Sequence, residues 1–165
     1  YICKLIRKDL LKRFIEYVTK DNCSVNSTIV PSLFETNKFL ADKEPSLIEY
    51  AAFYGSMQIF KYLWSNKAEL RPSLWLYAIH SKNLELIHLI GELNVKSNLT
   101  SYEDCIIESL KCHHIDLATY FIENLAKVKF DVNEDNLILK NAIKYFNYFY
   151  FPTNLNNKFM KHHYF

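Results

Sequence analysis

A phrase that the chain repeats narrows the possible folds most. Pro45-Ser46-Leu47-Ile48-Glu49-Tyr50-Ala51 returns as Pro72-Ser73-Leu74-Trp75-Leu76-Tyr77-Ala78, 27 positions on (45 to 72), and a third Pro-Ser-Leu stands at Pro31-Ser32-Leu33. Self-similarity at a period of roughly 20–50 residues marks a stacked array of small units. Each unit contacts mainly its neighbours, and the stack presents an extended surface for binding rather than a closed pocket for chemistry.

Spacing within the units is helical. Ile59, Phe60, Leu63 and Trp64 form one apolar stripe, Leu86, Ile87, Leu89 and Ile90 a second, and Leu117, Phe121 and Ile122 a third. No long stretch alternates strictly between apolar and polar, so strand signals are weak. Helix starts are marked by Ser-x-x-Glu capping boxes at Ser32/Glu35 and Ser46/Glu49, and by a shorter imitation at Ser101/Asp104. A second series of caps falls at Ser56, Asn83, His114 and Asn147. These signals predict helix pairs 46–54 with 56–66, 73–81 with 83–93, 101–112 with 114–125, and 135–145 with an unfinished partner from Asn147. Upstream, 2–19 and 32–41 read as two more helices around a polar loop at 21–30.

Composition bounds the function. The 165 residues are half hydrophobic and 16% aromatic, ample for a core in one domain. The net charge is only +2. The nearest basic stripe, Lys4, Arg7, Lys8, Lys12 and Arg13, is interrupted by Asp9 and followed by Glu16, as on the solvated face of a helix. Nucleic-acid footprints cluster charge without acids between. No apolar run approaches the roughly 18 residues of a membrane span. The four cysteines, Cys3, Cys23, Cys105 and Cys112, have no Cys-x-x-Cys spacing, which fits free thiols in an intracellular, cytoplasmic setting. Sequons at Asn22, Asn26 and Asn98 matter only in a secreted chain. A start at Tyr1 rather than Met reads as a piece of a longer protein.

The run Ala51-Ala52-Phe53-Tyr54-Gly55-Ser56-Met57-Gln58-Ile59-Phe60-Lys61-Tyr62-Leu63-Trp64-Ser65-Asn66-Lys67-Ala68-Glu69-Leu70 resembles the core of an ankyrin repeat. The match covers the alanine pair, the Gly, the aliphatic pair, the second apolar pair and the Ala-acid-aliphatic close. Ser56 stands for the family's His and Lys67 for its second Gly. Other units are degenerate: Ser109-Leu110 replaces the alanines, and Cys112-His113-His114 sits at the turn. From Leu5 to Asn124 the chain resembles the divergent ankyrin-like families expanded in single-celled eukaryotes. The resemblance implies an all-α, right-handed solenoid of about four helix pairs with an N-terminal helical cap. It would form a single domain over 1–151, with the cap at 1–41, repeats at 45–151 and a disordered tail at 152–165. Lys82, His113 and Phe146 occupy the place of Gly55, so looser or differently built turns are expected there. Few turn residues fall in 67–72 and 95–100, so hairpins there should be short or absent.

The same resemblance places partner contacts at the loop tips and at the last positions of each inner helix. Here those are Phe53 and Tyr54, His80 and Ser81, Lys111 and Cys112, and Lys144 and Tyr145, with Lys43 and Arg71 on adjacent loops. Phe53 could equally pack between repeats, and His80 and His88 could simply face solvent. Zinc at Cys105, Cys112, His113 and His114 lacks four ligands at a known spacing. Neighbouring Cys112 and His113 point apart on a helix and make a poor nucleophile pair. The aromatic run 145–151 reads as a core surface lacking its next unit, open to self-association. The function expected is non-enzymatic binding of another protein, without metal, cofactor, nucleic acid or membrane. The alternatives are an accessory domain that positions a larger effector or enzyme, and a nucleic-acid-binding helical array.

Overall fold

A residue in the left-handed conformation closes most helices of this chain, and those local stops set the architecture. The computed structural model describes residues 1–30, 35–95, 102–126 and 136–147. The chain divides into two compact units, Tyr1–Asn98 and Leu99–Phe165. The first holds α1 (Ile2–Arg7), α2 (Leu11–Lys20), α3 (Lys38–Ala41), α4 (Leu47–Tyr54), α5 (Met57–Ser65), α6 (Leu74–Ser81) and α7 (Leu84–Glu92). The second holds α8 (Glu103–Lys111), α9 (Ile115–Tyr120) running into a π-helical turn at Phe121–Ala126, and α10 (Asn136–Lys144). The protein is thus mostly helical, and no strand occurs among the described residues. An isolated antiparallel bridge joins Thr28 to Ser46. Beside it the Ile29 N–H donates to Pro45 O at 2.8 Å and the Leu47 N–H to Ser27 O at 3.0 Å. The loop 67–72 contains no hairpin strand. Residues 96–100 lie outside the described set, as do Ser32, Ser101, Asp135, the aromatics 148–151 and the tail 152–165.

The inter-helix turns share one construction. Asp9, Gly55, Lys82, His113 and Phe146 all have φ between 48° and 67°, at 49°, 66°, 54°, 58° and 55° respectively. In four of the five turns the next N–H folds back to a carbonyl five residues earlier. Leu10 donates to Leu5 O at 3.0 Å, Ser56 to Ala51 O at 2.9 Å, His114 to Ser109 O at 2.9 Å and Asn147 to Ala142 O at 2.7 Å. This is the Schellman closure, which satisfies orphan carbonyls at a helix end. The expectation of looser or differently built turns where Gly is missing is corrected at His113 and Phe146, which reproduce the Gly55 closure; at Lys82 the backbone is also left-handed, but the next N–H, of Asn83, donates to the Ser81 hydroxyl at 3.1 Å instead. Burial accounts for the small residues ahead of these turns. Ala51, Ala78, Ser109 and Ala142, each four before a left-handed residue, have no exposed surface. Ser109 keeps its hydroxyl satisfied by donating to Cys105 O at 2.7 Å.

The same signal corrects the N-terminal reading. The stretch 2–19 is two helices, not one, because Asp9 turns left-handed between them. Asp9 also reaches forward. Its carboxylate accepts from the Gln58 N–H at 3.0 Å and the Ile59 N–H at 2.9 Å, capping α5 from another element. Ser56, expected to cap α5, instead donates its hydroxyl to Ile6 O at 2.6 Å. The helix expected over 32–41 is the short α3, and Asn37 caps it by accepting from the Phe39 N–H at 2.9 Å. Glu35 serves as an ion-pair partner for Arg7, at 2.8 Å. Tyr102, not Ser101, is the N-cap of α8, without a side-chain bond, and His114 likewise begins α9 without one.

Within the first unit α4 packs between α1 and α6, and α2 packs on α5. Ser46 and Glu49 form the expected capping box. Glu49, only 3% exposed, also accepts from the Ser73 hydroxyl at 2.5 Å, tying the cap of α4 to that of α6. The Trp75 indole N–H donates to Val95 O at 2.9 Å and pins the chain beyond α7. In the second unit α8 packs on both α9 and α10. Leu110, Leu117, Phe121 and Ile122 form its core.

Candidate functional site

Counting back from the left-handed stops, the last two positions of each first helix in a pair are Arg7 and Lys8, Phe53 and Tyr54, His80 and Ser81, Lys111 and Cys112, and Lys144 and Tyr145. In the first unit these positions draw together a cluster of rings and cations. Phe53 is buried; it stacks on His80 at 4.9 Å between centroids and meets Tyr54 edge-on at 5.0 Å. Tyr54 packs on Tyr50 at 4.9 Å. The Arg7 guanidinium lies 5.0 Å above the Tyr54 ring and donates through Nε to the Tyr50 hydroxyl at 2.7 Å.

α3 supplies the centre of the cluster. Phe39 stacks on Phe53 at 5.8 Å, meets Tyr77 edge-on at 5.1 Å and approaches the His80 ring to 4.1 Å. Lys43, on the connection to α4, holds its ammonium 3.3 Å from the Phe39 centroid and 5.7 Å from that of Tyr77. Cations over ring faces gain from the ring quadrupole, more so as water is excluded. Four residues singled out from the sequence, Lys43, Phe53, Tyr54 and His80, therefore meet. His80 is half-buried in rings rather than facing solvent, whereas His88 is exposed on α7. Ser81 turns inward, donating to Ala78 O at 2.7 Å. Arg71 makes no ring contact of the kind seen for Arg7 and Lys43; it pairs with Glu69 at 3.4 Å and acts on Tyr77 through its charge.

Arg7, Phe39, Tyr50 and Tyr77 were not singled out. Tyr50 and Tyr77 hold the same place in the repeated phrase, a signal that could have found them. Arg7 required the turn at Asp9 to be seen, and nothing local to Phe39 betrays its position.

The electrostatics suit recognition. Burial pushes the Tyr77 phenol up to about 12, with the Glu49 carboxylate adding to the rise and Arg71 opposing it. Burial also raises the Tyr50 phenol, against the hydrogen bond from Arg7. Both rings thus stay neutral at physiological pH. In the second unit Lys111 pairs with Glu108 at 3.1 Å, and the Lys144 ammonium lies 5.2 Å from the Tyr145 centroid. Burial and the Glu108 carboxylate push the Cys112 thiol up to about 11, and burial with Asp104 pushes Cys105 up to about 12. A nucleophilic cysteine acts as its thiolate, which these surroundings disfavour. Beyond Tyr145, Phe146 is exposed, while Asn147 is buried and donates to Leu110 O at 3.5 Å.

No helix among the described residues is long and apolar enough to cross a membrane. The chain matches none of the protein-family models, curated proteins or solved structures with which it was compared.

Proposed function

We propose that the chain is a non-enzymatic protein–protein interaction module, built as a stack of ankyrin-like helix pairs and binding its partner across the ends of the inner helices. The observation that carries this reading is the ring-and-cation cluster of Arg7, Lys43, Tyr54 and His80 around Phe39 and Phe53. Interface hot spots are enriched in Arg and Tyr, which offer large rigid area at low cost in conformational entropy. The cluster's outer members, Arg7, Tyr54 and His80, keep part of their surface open to solvent. Phe53 contacts the Tyr54 and His80 rings directly, and Tyr77 braces Phe39, which in turn packs on His80. The most buried carboxylate, Glu49, is committed to two hydrogen bonds within the fold and so is poorly placed for proton transfer.

The test is affinity capture from cells that express the protein, comparing the native chain with an Arg7→Ala/Tyr54→Ala/His80→Ala variant shown by circular dichroism to remain folded. The expected result is a partner captured by the native chain and lost with the variant. Capture that survives the triple substitution would move the binding face elsewhere.

A further inference from the structure

Beside the ring cluster, on the far side of Arg7, lies a cavity of about 560 Å³ within the first unit. Its charge is one-sided. Lys4, Arg7, Lys8 and Lys43 line it against a single carboxylate, Glu35. Three of these cations follow from sequence spacing: positions 4, 7 and 8 are i, i+3 and i+4 on one helix and share a face. The fourth comes from the connection between α3 and α4, so the fold, not the local sequence, assembles the set. Arg7 is held in orientation from two sides, by the Tyr50 hydroxyl at 2.7 Å and by Glu35 at 2.8 Å. Ile29, Val30, Leu40 and Pro45 give the cavity an apolar wall, beside Tyr1, Cys3 and Tyr50. Small-molecule sites have volumes of roughly 300–1,000 Å³ and combine such apolar lining with a few polar groups.

We propose that this cavity binds a phosphomonoester carried on an apolar or aromatic body. Glu35 pairs with Arg7, and Lys4 and Lys8 on the same helix add two further positive charges to the lining. A phosphomonoester carries about −1.5 to −2 at neutral pH and three acceptor oxygens, matching the ammonium groups of Lys4 and Lys8 beside the Arg7 guanidinium. The apolar wall gives the body of the ligand a place out of water. The site shares Arg7, Lys43 and Tyr50 with the ring cluster, and Lys4 and Lys8 are the lining cations outside that cluster.

Isothermal titration calorimetry of the full chain with phenyl phosphate tests the proposal, with inorganic phosphate as the body-less comparison. The expected result is one saturable site, weakened by salt, that prefers phenyl phosphate to inorganic phosphate. Lys4→Gln/Lys8→Gln, both on exposed positions, should weaken it by about tenfold or more, the loss of two exposed charge-assisted contacts. Lys12→Gln/Arg13→Gln removes the same charge from α2, outside the cavity, and should leave binding unchanged. Absence of saturable heat, equal affinity for inorganic phosphate, or equal weakening by both double variants would overturn the proposal. A phosphotyrosyl peptide then reads the source. Binding as tight as phenyl phosphate assigns the group to a partner's side chain, and exclusion of the peptide assigns it to a free small molecule; both uphold the site.

Discussion

Lys82 and Gly55 do the same job with unequal ease. Both stand in the left-handed region, at φ 54° and 66°, where a Cβ crowds the backbone and costs roughly 1–2 kcal/mol. Lys82→Gly should therefore stabilise the protein by about 0.5–1 kcal/mol, the relief of strain being partly offset by the freer unfolded chain. Gly55→Ala should destabilise by about 1–2 kcal/mol. A Cβ on Gly55 would also sit 3.3 Å from that of Ser81. Urea denaturation of the two variants reads both signs. Tyr77 makes a second prediction. Its phenol is raised in the folded state from 10.0 to about 12, so the fold holds a proton that the unfolded chain releases first. Its contribution is complete below pH 10 and is lost as pH rises from 10 towards 12. Tyr77→Phe keeps the ring against Phe39, and the expected outcome is a shallower fall of the urea midpoint over that window.

At the scale of elements, capping is both what the sequence displays best and where it misleads. The box at Ser46 and Glu49 and the cap at Asn83 form as expected, because each closes within its own first turn. Those two caps mark the starts of α4 and α7, whereas α5, α6, α8 and α9 begin without a cap bond from their own N-cap side chain. Asp9 is the opposite case. It interrupts what reads as a single amphipathic helix, and its carboxylate serves α5, about fifty residues away (9 to 58 and 59). No window of local sequence contains that partnership. Asp9→Ala should cost about 0.5–2 kcal/mol as a lost cap, with hydrogen exchange quickening at the start of α5. Asp9→Asn, which retains an acceptor and tolerates the left-handed backbone, should recover most of that protection. If exchange at Gln58 and Ile59 is unmoved in Asp9→Ala, the cap does not hold α5.

For the whole molecule, the repeat register located half of the ring cluster and tertiary packing supplied the rest. Phe53, Tyr54 and His80 could be picked out because each lies a fixed distance before a turn. Phe39 could not, since α3 is a four-residue helix whose place over α4 and α6 depends on the path of the chain into Pro45. Arg7 joins them because the left-handed turn at Asp9 ends α1 as Gly55 ends α4. Arg7, Tyr54 and His80 come together by tertiary packing within the first unit, and binding another protein across them is the central claim. Its most direct test is site-specific photo-crosslinking in cells, with a benzophenone amino acid at Tyr54 and, as a comparison, at exposed His88 on α7. The expected result is a discrete crosslinked protein from position 54 and none from position 88. No adduct from position 54, or the same adduct from both positions, would contradict the account.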